Sequence, residues 1–167
     1  MINIGILTVS DKGSQGQRYD ESAKVIQECL SQLDCSVAKY EIVPDEMNII
    51  ADKLIEWADE GNLDIILTTG GTGLGPRDVT PEATLSVVDK VVPGFAEAMR
   101  METFYTTPLS ILSRAETGVR GKCLIINLPG SPKAVRECLM VVLPALTHAV
   151  DIINGEVAEH ITEAEED

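Results

Sequence analysis

The stretch of this 167-residue chain with the clearest chemistry is Thr68-Thr69-Gly70-Gly71-Thr72-Gly73-Leu74-Gly75-Pro76-Arg77-Asp78. Four glycines fall between Gly70 and Gly75. Lacking Cβ atoms, such a run lets the backbone approach a ligand closely and present its N–H groups. The hydroxyls of Thr69 and Thr72 add donors. Downstream, Thr80-Pro81 reads as an N-cap followed by the first residue of a helix. A helix start favours an anion, so the composite predicts a phosphate cradle over Thr69, Gly70, Gly71, Thr72 and Gly73. A plain tight turn explains one or two glycines but not four. The run lacks the Gly-Lys-Ser/Thr of a Walker element and does not match the dinucleotide spacing G-x-G-x-x-G, so neither of those nucleotide folds is expected.

Carboxylates come next. Asp45 follows Pro44, and Asp78 closes the glycine-rich run. Mg²⁺ is commonly held by one or two carboxylates together with phosphate oxygens, which makes Asp45 and Asp78 the candidate metal and catalytic pair. Singly, each has a plainer reading: Asp45 as a helix N-cap, and Asp78 as a turn residue paired with Arg77. A second anion site is expected at Leu128-Pro129-Gly130-Ser131-Pro132-Lys133, where Gly130, Ser131 and Lys133 open a helix. Ser131 reads equally as a simple cap. Ser10 and Asp11, after the first apolar run, complete the candidates. His148 and Trp57 fit structural positions better than ligand contacts.

The net charge is −14, so the basic footprint of a nucleic-acid binder is missing, and an acidic chain is repelled by anionic lipid. Five of the 13 Lys and Arg residues nevertheless lie beside these motifs: Lys12, Arg77, Arg114, Lys133 and Arg136. That placement suits a small anionic ligand as well as it suits ordinary surface loops. Cys29, Cys35, Cys123 and Cys138 include no C-x-x-C pair and read as free thiols, three of them in apolar runs. The opening residues lack the pattern of a secretory leader, and no apolar run is read as approaching the ~20 residues of a membrane span. A cytoplasmic location is the expectation.

Positioning these loops requires strands that end where they begin. Ile2 to Val9 reads as a buried strand, followed by a loop from Ser10 to Gly16. A helix carrying Ile26, Cys29, Leu30 and Leu33 follows, then a strand ending at Pro44. Ile50, Leu54 and Trp57 stripe a second helix, and Leu63 to Leu67 forms a third strand. Helices are expected from Thr80 and over Gly94 to Thr106, a strand over Leu124 to Leu128, and a last helix from Ser131. Continuous aliphatic strands alternating with helices predict an α/β fold, three layers with a largely parallel sheet, in one domain over residues 1–155. Residues 156–167 form an acidic tail. In such sheets ligands bind beyond the carboxyl ends of the strands, where all four loops would converge.

At these residues the chain resembles the molybdopterin adenylyltransferase family, MogA/MoaB-like proteins related to the gephyrin G domain. The matching stretches are Thr8-Val9-Ser10-Asp11, Pro44-Asp45, Thr69-Gly70-Gly71-Thr72-Gly73 and Arg77-Asp78-Val79-Thr80-Pro81-Glu82-Ala83. They continue through Pro93-Gly94-Phe95-Ala96-Glu97-Ala98-Met99-Arg100, Leu112-Ser113-Arg114 and Leu128-Pro129-Gly130-Ser131-Pro132-Lys133-Ala134. The matches fall in order and cover nearly the whole chain. The resemblance implies a homotrimer and Mg²⁺- and ATP-dependent adenylylation of molybdopterin, with release of pyrophosphate. It implies catalysis by the positions matching Asp45 and Asp78, a site lined by the two glycine-containing loops, and partners among other proteins of molybdenum-cofactor synthesis. The competing reading keeps the fold but makes the chain a non-catalytic molybdopterin carrier or scaffold. The presence of both Asp45 and Asp78 favours the enzyme. An unrelated nucleotide hydrolase would need a general base that the motifs do not supply.

Overall fold

A computed structural model describes residues 1–156, so the acidic tail expected over 156–167 lies, past Glu156, outside the described residues. The elements in order are β1 (Ile2–Val9), α1 (Asp11–Ser14), α2 (Glu21–Leu30), β2 (Cys35–Val43), α3 (Met47–Asp59), β3 (Ile65–Thr69), α4 (Thr80–Val87), β4 (Lys90–Val91), α5 (Pro93–Phe104), a 3₁₀ turn (Pro108–Leu112), β5 (Thr117–Arg120), β6 (Cys123–Leu128) and α6 (Pro132–Asn154). They form one six-stranded sheet in the order β2-β1-β3-β6-β5-β4. The first four strands of that order are parallel, and β5 and β4 are antiparallel additions.

Strand periodicity divides the apolar residues between two faces. Ile4 and Ile6 of β1, Ile65 and Leu67 of β3, and Leu124 and Ile126 of β6 pack on one side with α2, α5 and α6. Leu7 and Val9, Ile66, and Cys123 and Ile125 face the other side, against Ile50, Leu54 and Trp57 of α3 and Ala83 and Val87 of α4. These are the three layers expected from uninterrupted aliphatic strands. Trp57 is a core residue, and His148 lies exposed on α6. Cys29, Cys123 and Cys138 are buried free thiols, and Cys35 is half-buried.

Several expectations are corrected. The loop after β1 contains one helical turn, α1, capped by the Ser10 hydroxyl on the Gly13 N–H. The strand expected over Leu63 to Leu67 runs instead from Ile65 to Thr69, which carries it to the edge of the glycine run. Two short strands, β4 and β5, were not expected. They are two and four residues long, too short for alternation to register, and β5 is held by the hairpin through Gly121 rather than by an apolar pattern. The last helix, α6, is 23 residues long, long and apolar enough by length and composition to cross a membrane. Its stripe of Val135, Leu139, Val142 and Leu146 instead packs into the core with α2 and α5, so the helix is apolar for internal reasons.

One polar group inside the second layer ties the sheet to α4. Asn127 of β6 is fully buried. Its amide donates to the hydroxyls of Thr68 at 3.0 Å and Thr84 at 2.8 Å, and its side-chain oxygen accepts from the Glu116 N–H at 3.2 Å. These bonds hold β3, β6 and α4 in register just beneath the glycine-rich loop. Asn127→Ala leaves a backbone donor and two hydroxyls without this partner, at a cost of about 3 kcal/mol. In a thermal melt that corresponds to a midpoint lower by roughly 6–12 °C for a domain of this size; a loss of about one degree would show that the three groups find other partners.

Candidate functional site

The chain leaves β1 for β2 on one side and returns to β3 on the other, so the sheet order reverses between β1 and β3. Such a reversal opens a crevice at the carboxyl ends of the two strands. The glycine-rich loop fills this position. Gly70 donates from its N–H to the Leu128 carbonyl at 3.2 Å, across the end of β6. Its φ is +99°, and a Cβ there would collide with the Val9 carbonyl oxygen at the end of β1. Gly71, at φ +65°, lies so close to Thr80 that a Cβ would strike that hydroxyl. Both positions therefore need glycine. Thr80 is the first helical residue rather than the cap, which is Val79. Its hydroxyl donates to the Gly70 carbonyl at 2.9 Å and its N–H to the Gly71 carbonyl at 3.1 Å. Thr69 donates to the Pro129 carbonyl at 2.7 Å, joining this loop to the Pro-Gly-Ser loop. Among the described residues, the N–H groups of Gly71, Thr72 and Gly73 donate to no protein acceptor, as a phosphate cradle requires.

Asp45 is half-buried, and it does not cap α3, whose cap residue is Glu46. Instead Asp45 and Asp11 clasp each other. The Asp11 N–H donates to Asp45 Oδ2 at 2.8 Å, and the Asp45 N–H donates to Asp11 Oδ1 at 3.0 Å. Arg77 completes the clasp by donating to both Asp11 oxygens, at 3.1 and 3.0 Å, and it pairs with Glu46 at 2.7 Å. The partner expected for Arg77, Asp78, accepts from the Gly75 N–H at 2.8 Å instead. The Arg77 guanidinium, helped by the Asp45 N–H, holds the Asp11 carboxyl below its usual range. Asp45 is pushed the other way. Burial raises its pKa, and the charges of Asp11 and Asp78 raise it further, against the opposing effects of the Asp11 N–H and Arg77.

A carboxylate whose charge is disfavoured by burial and by like charges is suited to a cation. Asp45 Oδ1 and Asp78 Oδ1 take no hydrogen bond from the described residues. Among those residues, no group of three His, Cys, Asp or Glu side chains could hold a metal. Mg²⁺ is commonly bound through one or two carboxylates, with phosphate and water supplying the rest, and Asp45 and Asp78 each keep one oxygen free for such a role.

Two clefts flank the glycine-rich loop. The first, about 340 Å³, is walled by Ser10, Arg18, Asp20, Ser22 and Asp45. The second, about 390 Å³, is walled largely by apolar groups, among them Ala96, Met99, Leu109, Leu112 and Cys138, and reaches Thr72, Gly73 and Asp78. They share one ridge, formed by Gly71, Gly130 and Ser131. The Ser131 hydroxyl caps α6 by accepting from the Ala134 N–H at 3.3 Å. Ser10, Thr69, Gly70, Gly71, Thr72, Gly73, Gly130 and Ser131 line one cleft or both, whereas Asp11 and Lys133 line neither. Lys133 is 77% exposed and lies 3.7 Å from Glu137.

Several site residues carry little sequence signal. Asp20 accepts from the Thr8 hydroxyl at 2.5 Å, the Tyr40 hydroxyl at 2.9 Å and the Ala23 N–H at 3.0 Å, and so braces the first cleft from three elements. An Asp just ahead of an apolar helical stripe is an N-cap signal that reveals one of these three bonds. Ser22 donates to the Gly130 carbonyl at 2.8 Å. Arg114 pins the glycine-rich loop, donating to the carbonyls of Gly73 at 2.8 Å and Asp78 at 2.7 Å while pairing with Glu82.

Residues 5–148 match the family described as "probable molybdopterin binding domain". The chain is 51% identical over 156 residues to a molybdopterin adenylyltransferase of Helicobacter pylori J99, covering 92% of this chain and 89% of that one. It is 41% identical over 171 residues to gephyrin of Dictyostelium discoideum, covering 96% of this chain and 24% of that longer protein. The structure of the molybdopterin biosynthesis enzyme MoaB from Thermus thermophilus superposes with a TM-score of 0.88 at 54% identity, covering 93% of this chain and 98% of that one. With this crevice, these two clefts and these relatives, the chain belongs to the molybdopterin adenylyltransferase family, the MogA/MoaB-like proteins.

Proposed function

We propose that this protein is a molybdopterin adenylyltransferase of molybdenum-cofactor synthesis, transferring AMP from ATP to molybdopterin. The observation that carries the reading is the pair of clefts meeting on the Gly71, Gly130 and Ser131 ridge, with Asp45 lining one and Asp78 the other. Two substrates, each carrying phosphate, would meet over one anion-binding ridge. The polar first cleft suits ATP, and the apolar slot of the second suits a flat pterin. In the reaction, an oxygen of the molybdopterin phosphate forms a bond to the α-phosphorus of ATP, and the bond from that phosphorus to pyrophosphate breaks. The nucleophile is already ionised, so no general base is needed. The chain's task is to position two anions and offset their repulsion. The unpartnered N–H groups of Gly71, Thr72 and Gly73 hold phosphate oxygens, and Ser10, Thr69, Gly70, Gly130 and Ser131 shape the cradle. Asp11 keeps Asp45 in place, and Lys133 supplies positive charge outside the ridge. Mg²⁺, when held by Asp45 and Asp78, supplies charge neutralisation at the phosphates. These features also support an enzyme acting on small anionic substrates.

A homotrimer is part of the same reading. The end of α5 and the following 3₁₀ turn expose Met101, Phe104, Tyr105, Leu109 and Ile111, with Tyr105 84% and Leu109 73% exposed. Contiguous apolar surface of this kind marks an association face. Sedimentation of the wild type at micromolar concentration is expected to give three times the monomer mass, and Ile111→Asp is expected to give monomers. A wild-type monomer at that concentration would remove the trimer.

Single-turnover transfer of label from ATP to molybdopterin separates the enzyme from a carrier. Asp45→Asn and Asp78→Asn keep size and one acceptor oxygen but lose the charge. Each is expected to cut transfer by a factor on the order of 10²–10³. If both act through one site, the double variant is little worse than either single one. Wild-type protein that binds both substrates and transfers nothing is a carrier.

The raised pKa of Asp45 predicts an opposite effect on stability. Between its ordinary value of 3.8 and its higher folded value, the folded state binds more protons than the unfolded one. Stability therefore falls as pH rises through that window, and the full penalty persists above it. Asp45→Asn is expected to melt higher than wild type at pH 7, with the difference shrinking as the pH is lowered towards 3.8. A lower melting temperature at neutral pH would mean that the clasp with Asp11, rather than the charge, dominates.

A further inference from the structure

The second cleft contains a carboxylate that the fold hardly uses. Glu137 lines it from α6, six residues past Ser131, roughly 9 Å of helix away from the shared ridge. Its side chain is only 25% exposed, yet its partners are distant. The Thr107 hydroxyl stands 3.4 Å from Oε2, and the ammonium of the exposed Lys133 stands 3.7 Å from Oε1. Such a solvent-facing pair holds a carboxylate weakly. The other charged groups around this cleft are engaged. Arg100 donates to the carbonyls of Ser113 at 3.3 Å and Ala115 at 2.9 Å, and Asp78 holds the Gly75 N–H at the ridge. Leu109, Met99 and Cys138 line the same cleft, with the hydroxyls of Thr103 and Thr107 among them. Next to Glu137, the thiol of Cys138 is pushed up to about 11, chiefly by burial.

We infer that Glu137 is a specificity-determining residue, whose two carboxylate oxygens accept the paired N–H donors of an amino-oxo pyrimidine ring. Such a ring, as in a pterin, presents a ring N–H and an adjacent amino group side by side, and a carboxylate matches that edge with two charge-assisted hydrogen bonds. Adenine does not match it: it offers one amino donor beside a ring-nitrogen lone pair, which the carboxylate repels. A single acceptor fork in an apolar slot thus sends the pterin to the second cleft and keeps the adenine of ATP out of it. This inference rests on the proposed binding of molybdopterin there, and it adds which edge of the ring is read and by which side chain.

The test uses pterin and lumazine, in which an oxo group replaces the amino group, as competitors of molybdopterin binding. Wild type is expected to favour pterin over lumazine by on the order of tenfold to a hundredfold, the scale set by one hydrogen bond to a charged group. Glu137→Gln presents one acceptor and one donor, so it is expected to bind pterin more weakly, bind lumazine better, and bring the ratio towards one. Glu137→Ala is expected to lose the preference without improving lumazine. Affinity for ATP and the melting temperature are expected to stay unchanged in both variants, which a merely structural role for Glu137 would not produce. A wild-type ratio retained in Glu137→Gln, or no preference in a wild type that binds molybdopterin, would overturn the role of Glu137 alone. A wild type that does not bind molybdopterin would overturn the parent reading as well.

Discussion

The site depends on the backbone contact at Gly70, where the end of β3 lies against the Val9 carbonyl with no room for a side chain. Because β1 and β3 are neighbours at the point where the sheet order reverses, their ends must diverge to leave a crevice. Gly70 makes that divergence tight. It turns the chain through a conformation that L-residues avoid while bonding the Leu128 carbonyl of β6. Three strand ends are thereby fixed to one another by main-chain atoms. The bonds from Thr80 to Gly70 and from Thr69 to Pro129 then transmit this geometry to the start of α4 and to the Pro-Gly-Ser loop. Each loop of the ridge is held by a neighbour rather than by its own sequence, which is how a surface loop comes to present unpaired N–H groups in a defined array.

Electrostatics at the same edge are arranged against the unliganded protein. Burial and the charges of Asp11 and Asp78 disfavour the Asp45 anion, yet its clasp with Asp11 keeps the side chain in place. Arg77 offsets part of the cost at Asp11 and Glu46, and it leaves Asp45 without a direct ion pair. An anion-binding ridge beside a poorly neutralised carboxylate accepts phosphate and cation together more readily than either alone, because each offsets the charge the other brings. Functional sites commonly retain such locally unfavourable charge, and the rest of the fold carries it. Here that support includes the buried Asn127 network directly below the loop.

In the proposed reading, the division into two clefts gives each substrate its own chemistry while confining their phosphates to one place. The first cleft is braced by Asp20, which gathers β1, β2 and α2 through three hydrogen bonds. The second is formed largely by α5, α6 and the 3₁₀ turn, and it reaches the glycine-rich loop that Arg114 holds through the Gly73 and Asp78 carbonyls. The ridge residues Gly71, Gly130 and Ser131 are common to both clefts, and α6 contributes Pro132 to the first and Ala134, Glu137 and Cys138 to the second.

Much of this was determined by the sequence alone. Uninterrupted aliphatic runs such as Ile2 to Val9 and Leu124 to Leu128 have no polar face to turn to water, so they dictate a parallel sheet covered on both sides. Four closely spaced glycines, a cap at Ser131 and the carboxylates Asp45 and Asp78 marked the candidate edge, because main-chain access and helix starts are local properties. What required the tertiary structure was every relation between distant residues. Asp45 and Asp11 are 34 positions apart and read singly as a cap and a loop residue; only the adjacency of β1 and β2 makes them partners. The strands β4 and β5 are too short to show a period, and they exist because β6 offers β5 an edge and β5 in turn offers one to β4. Glu137 looks in the sequence like half of an ordinary surface pair with Lys133. Its place in a largely apolar cleft is set by α5 and the 3₁₀ turn packing across α6, since the surroundings of a side chain are fixed by elements that local sequence does not contain.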